Sequence, residues 1–215
     1  DLTAVGHTLN TVLAGQQQAR ARAGALEQEL QTLDRYRSNL GADLVRVQNL
    51  LARELNVDRS RLQFAGELID LRPEEAVWQG PIERVLRPLA QTLLVPDDLY
   101  RPVAELVDRT RLGIRLVYAR MDPRRGRDPG VPSRASLLRK VRVSEGEQHD
   151  WLWERLRQQY DYDCVDSAGE LDAANRGVTR TGQIKHGGSR HEKDDRNRVD
   201  DRSRWILGSS IEAKK

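Results

Sequence analysis

The residues with the most chemistry in this chain are basic, and they fall in two segments. The first runs from Arg120 to Arg142. It holds Arg120, Arg124, Arg125, Arg127, Arg134, Arg139, Lys140 and Arg142 against only Asp122 and Asp128, an excess of six positive charges. Arginine offers a planar fork of donors that suits phosphate, so this segment reads as a phosphate-contacting surface or as a solvated loop. No aromatic residues interleave its arginines, which gives no support to base stacking. The second segment, Arg176 to Arg204, sets nine basic residues against five acids, with Arg180, Lys185, Arg190 and Lys193 next to Glu192, Asp194 and Asp195. That mixture fits a phosphate surface or an internal network of ion pairs, the latter somewhat better. Gly187-Gly188-Ser189 within it has the composition of an amide-lined turn able to hold a phosphate oxygen, but the Gly-Lys-Ser/Thr order of a nucleotide-binding P-loop is absent.

Other chemistries find little footing. His186, His191, Asp194 and Asp195 sit close in sequence, but two histidines five apart beside acids do not make a zinc spacing. There is no nucleophile elbow, no paired metal motif and no Cys–His pairing of a thiol hydrolase. The single cysteine, Cys164, rules out an intramolecular disulfide framework and reads as a buried thiol in a strand. No catalytic, cofactor or metal site is expected in these residues.

Elements must hold the basic segments in place, and the clearest is at the start. Stepping alternately by three and four from Leu2 to Leu51 visits fifteen positions, of which only Gln16 and Arg37 are not apolar. A spacing of 3.5 residues held this long is the seam of a coiled coil, and fifty such residues make a rod of roughly 75 Å. Residues 1–55 are therefore expected to be a coiled-coil arm, and residues 209–215 the first turns of a returning helix.

Between these ends the pattern changes. Leu62–Leu71 reads as a strand interrupted at Gly66. Pro73-Glu74-Glu75 opens a helix, with a break expected near Pro81. Thr92–Val95 is a short, wholly apolar strand. Pro96-Asp97-Asp98 starts a second helix, and Ile114–Ala119 is the next strand. After the Arg/Pro/Gly loop, Ser136–Val143 reads as strand or turn, Glu147–Tyr160 as an amphipathic helix, the stretch ending at Val165 as a strand, and Ser167–Asn175 as a short helix. The expected fold class is α/β: a small mixed-sheet domain over residues 56–175, with a charged segment, 176–208, leading out.

Composition agrees with an elongated, well-solvated protein. Of 215 residues, 38% are hydrophobic and 32% charged, and nearly all of the 36 basic residues are arginine, for a net charge of +3. No apolar run reaches the ~18 residues needed to span a bilayer, and the first residues lack the pattern of a secretion signal. A chain that starts without Met inside a helical pattern reads as part of a longer cytoplasmic protein.

Helix, α/β insert and returning helix resembles the layout of an SMC hinge. The run Phe64-Ala65-Gly66-Glu67-Leu68-Ile69-Asp70-Leu71-Arg72-Pro73-Glu74-Glu75-Ala76-Val77-Trp78, with Pro81–Leu86, resembles the lead-in segment of the hinge in the JetC family. Gly182–Arg196, followed by Asp200-Asp201-Arg202, is similar to the exit segment of the same hinge. The resemblance covers roughly residues 55–208. JetC proteins, also called MksB or EptC, are SMC-like ATPase subunits of Wadjet plasmid-defence complexes and relatives of the MukB condensin.

The resemblance implies a hinge that homodimerises and joins two arms. ATP and Mg would bind at distant head domains absent from these residues. Kleisin, accessory and nuclease subunits would be partners of the parent, which would extrude loops of double-stranded DNA in the bacterial cytoplasm. A chromosome-organising MukB/MksB-like condensin and a stand-alone DNA-binding module remain alternatives at this point. In any of these readings, non-specific DNA contact falls to Arg124, Arg125, Arg127, Arg134, Arg139 and Lys140, with Arg180, Lys185, Arg190 and Lys193 as a second cluster.

Overall fold

The structure is a computed structural model, and it describes residues 15–24, 40–122 and 130–208. Residues 15–24 are helical with every residue exposed. They belong to a first unit that ends at Arg37, and a second compact unit begins at Ser38. Most of the seam read across the arm, and the returning helix expected at 209–215, lie outside the described residues. Among the described residues no helix is long and apolar enough to cross a membrane.

The second unit opens with helix α1 (Ala42–Glu54). It buries Val45, Val47, Gln48, Leu51 and Ala52, so the last heptads of the seam pack on the α/β insert. Two turns of 3₁₀ helix follow, then β1 (Ile69–Leu71). The expected strand over 62–71 is thus mostly turn, and Phe64 contributes only a single bridge to Leu93. Pro73–Trp78 is a 3₁₀ stretch that passes directly into α2 (Gln79–Ala90). The break expected at Pro81 falls instead at Trp78/Gln79, which leaves Pro81 in the first turn of α2, where its missing N–H has no helical partner to lose.

Strand β2 (Thr92–Pro96) is buried throughout. It runs through α3 (Asp97–Arg109) to β3 (Val117–Met121), with β2 and β3 parallel in the register Thr92↔Val117 to Pro96↔Met121. A β-α-β crossover of this kind is what an apolar strand feeding an amphipathic helix produces. β4 (Val141–Val143) pairs antiparallel with β1. Helix α4 (His149–Gln159) leads to β5 (Asp163–Val165). Then α5 (Ala168–Ala173), whose first turn is capped by Ser167, leads to β6 (Gly177–Thr179), and β7 (Gln183–Lys185) and β8 (His191–Lys193) complete a sheet in the order β5-β6-β7-β8.

The expected boundary at residue 175/176 falls between β5 and β6, which are parallel partners. Residues 176–208, read as a charged segment leading out, therefore supply three of the four strands of the largest sheet. The core joins all of these parts: Ile69, Ile82, Leu86, Leu94, Leu137, Leu152, Leu156, Val178, Ile206 and Leu207 pack in one cluster. The fold is mixed α/β with three small sheets.

Candidate arm roots, open strand edges and nucleic-acid surface

The two ends of the compact unit are tied down by buried carboxylates. Glu67 accepts from Phe64 N–H at 2.9 Å, from Gln48 Nε2 at 2.9 Å and from Arg59 Nη2 at 2.7 Å. Gln48 sits on α1, so this carboxylate fastens the lead-in helix. Glu83 on α2 accepts from the backbone N–H groups of Ile206 and Leu207, each at 3.0 Å, and from Gln79 Nε2 at 3.0 Å. That fastens the last described residues. The carbonyl of Gly66, next to Glu67, accepts from Gly208 N–H at 3.0 Å. Burial pushes the Glu83 carboxyl above its ordinary value, against its amide donors and the nearby Arg87. The sequence reading passed over both acids. A glutamate set between Pro81-Ile82 and Val85-Leu86 on an otherwise buried helix was the available signal for Glu83.

Two strand edges stand out by exposure. β3 ends its sheet, and among the described residues no other strand pairs with its outer edge. Val117, 36% exposed, lies at its start. β8 is exposed along its whole length and ends the other sheet. The outer edge of β5, by contrast, is covered by a bridge from Ser136 and by Cys164 N–H donating to Ala135 O. Cys164 itself is buried, which pushes its thiol up to about 12.

The basic residues singled out in the sequence do not converge on one surface. Arg124, Arg125 and Arg127 lie outside the described residues. Arg134 is exposed and makes no ion pair with any described residue. Arg139 donates to the carbonyls of Ser133 and Pro132 at 2.8 and 3.0 Å and keeps its charge unpaired. Lys140 pairs with Glu75 at 2.8 Å and lies over the Trp78 ring.

In the second cluster Arg180 pairs with Asp166 and also lies over the Trp78 ring. Lys185 is buried and donates to Asp172 O at 2.5 Å. Lys193 donates to Thr181 O and reaches Asp195 at 3.3 Å. Arg190 lies 3.9 Å from Glu192. Gly187 and Gly188, both at positive φ, form the β7–β8 hairpin. Glu192 there accepts from or shares a proton with His186 Nε2 at 2.9 Å, whose Nδ1 meets the Tyr162 hydroxyl at 3.1 Å. No group of three described residues is arranged to hold a metal ion. Exposed arginines that the sequence reading did not single out, Arg101, Arg109, Arg111 and Arg115, line α3 and the turn into β3 without a carboxylate partner among the described residues.

The fold is that of SMC hinge domains. The hinge of the Geobacillus stearothermophilus SMC protein, solved as an asymmetric dimer, is similar over 88% of this chain and 80% of its own, with a TM-score of 0.53 and 17% identity. The S. pombe Smc5/6 hinge domain is similar over 97% of this chain and 86% of its own, with a TM-score of 0.53 and 14% identity. No protein-family model and no curated protein matches the chain.

Proposed function

We propose that this chain is the homodimerisation hinge of an SMC-like, condensin-type DNA-translocating ATPase of the Wadjet plasmid-defence kind. In this reading β3 of one protomer adds to β8 of its partner, and the same contact repeats about a two-fold axis. The observation that supports it most is the pair of open strand edges on an SMC-hinge fold. Edge pairing used twice gives a closed, symmetric assembly, and open edges left unpaired invite uncontrolled association. The Wadjet assignment rests on the resemblance of the 64–86 and 182–202 segments to the JetC family. ATP, Mg, kleisin, accessory and nuclease subunits belong to the parent and not to this domain, for which no catalytic role is proposed. The parent would work in the bacterial cytoplasm.

Double-stranded DNA would be touched through phosphates by Arg134 and Arg139 with Arg124, Arg125 and Arg127. Such contacts carry no base information and weaken with salt. Light scattering on the full chain tests the hinge reading. A dimer at micromolar concentration is expected, and Val117→Asp on the β3 edge should shift it to monomer. A wild-type monomer at that concentration would remove the proposal.

A further inference from the structure

One face of α2 carries Gly80, Glu83, Arg84 and Arg87, spaced so that they stand together on the helix. A strap from Asp194 to Trp205 lies across this face, and between them is a cleft of about 260 Å³. The strap approaches so closely that a Cβ on Gly80 would sit 2.0 Å from Val199 O. Arg84 Nη2 donates to Asn197 O at 2.7 Å and Arg87 Nη2 to Arg204 O at 2.6 Å. The arginines thus hold the strap through its carbonyls, and their charge is not neutralised in doing so.

Five arginines and three acids line the cleft. Each acid is already engaged. Asp194 takes both arms of the Arg196 fork at 2.9 and 2.8 Å. Asp201 accepts from Ser203 N–H and Oγ. Glu83 is filled by its three N–H donors. Arg84, Arg87 and Arg204 make no ion pair with any described residue. Burial lowers the pKa of Arg87; the charge of Glu83 opposes this, Arg204 and Arg84 add to it, and Asp194 works against it. Three guanidiniums facing one space repel. An oxyanion in the cleft supplies the missing negative charge, and arginine forks match its geometry.

We propose that this cleft is a binding site for a phosphate-class oxyanion held by Arg84, Arg87 and Arg204. The oxyanion comes either from a backbone phosphate of duplex DNA or from a soluble phosphate compound. The strap begins directly after β8, but the site uses no residue of β3 or β8 and does not require the dimer.

The test uses the full chain, titrated with inorganic phosphate and pyrophosphate in chloride buffer at constant ionic strength, and reads binding heat and melting temperature. Arg204→Gln is the informative variant, because the Arg204 side chain is exposed and holds no part of the strap. Saturable binding by the wild type is expected, weakened by about tenfold in Arg204→Gln, as for loss of a charge-assisted hydrogen bond. Arg53→Gln, on the exposed face of α1, should leave it unchanged. Equal responses of wild type and Arg204→Gln, or no saturable response at all, would overturn the proposal. Given saturation, displacement by a short DNA duplex assigns the site to DNA backbone, and no displacement assigns it to a soluble phosphate compound. Light scattering on the same samples keeps failure of this site separate from failure of the dimer.

Discussion

Glu67 and Glu83 fasten opposite ends of the same compact unit with opposite kinds of partner. Glu67, 7% exposed, meets a guanidinium, a side-chain amide and one backbone N–H. Glu83, 1% exposed, meets two backbone N–H groups and a side-chain amide and has no cation in direct contact. The lead-in helix is therefore held largely through side chains, of which Arg59 is part exposed and can turn to water while Gln48 is buried. Ile206 and Leu207 are held through main-chain donors that sit in the core and have nowhere else to turn. An anchor built on backbone amides is the harder one to lose. The exit end, the shorter and less helical of the two, carries that harder anchor.

The largest effect should come from Glu83→Ala. It strands two buried amides, each worth ~1–3 kcal/mol, so a loss of about 2–4 kcal/mol in urea denaturation is expected. Amide exchange should quicken at 206–208 and stay slow in α1. Equal quickening at both ends would show that the two anchors are one cooperative unit and end the contrast drawn between them. Arg59→Ala should cost less, about 1 kcal/mol, because Arg59 is 29% exposed and a half-solvated ion pair is screened, while Gln48 and Phe64 still serve Glu67. A loss as large as that of Glu83→Ala would mean that Glu67 depends on its cation and not on its amides.

Periodicity made the helices and the β2–α3–β3 unit legible, because apolar strands and one-sided helices advertise burial. β3 begins at Val117 and not at Ile114, since Gly113 takes positive φ and the chain turns there first. Strands β6 to β8 were not legible. Each is three residues long, β8 is wholly exposed, and His191-Glu192-Lys193 has no alternation to detect. Charge itself misled in the second basic segment. Lys185 and Arg180 look like surface cations in sequence, yet one is buried on a helix carbonyl and the other lies over Trp78. The cleft between α2 and the strap needs residues more than a hundred positions apart, and no local pattern joins them.

The smallest expected effect concerns pH and isolates Glu83 from every other shifted group. Burial raises its carboxyl above the ordinary 4.5, so the folded chain holds this proton at pH values where the unfolded chain has lost it. The stability this group contributes is complete below the unfolded value and is lost as pH rises through the folded value. Asp194 runs the other way. Hydrogen bonds from Arg196 lower its carboxyl below the ordinary 3.8. Its contribution is present above that value and disappears as pH falls, and because its side chain is part exposed it should also fade with salt. Tyr160, Tyr162 and Cys164 are all raised and titrate well into alkali. Among the shifted carboxyls of the described residues Glu83 is the one raised, with Asp58 and Asp200 lowered like Asp194, so its contribution is the one that falls as pH rises above the ordinary carboxylate value. Urea midpoints of wild type and Glu83→Gln across that range should converge as pH rises, since glutamine has no proton to lose. If the midpoints diverge instead, the amides of Ile206 and Leu207 with the charge of Arg87 outweigh burial, and the exit anchor is an ionised carboxylate as firmly held as Glu67.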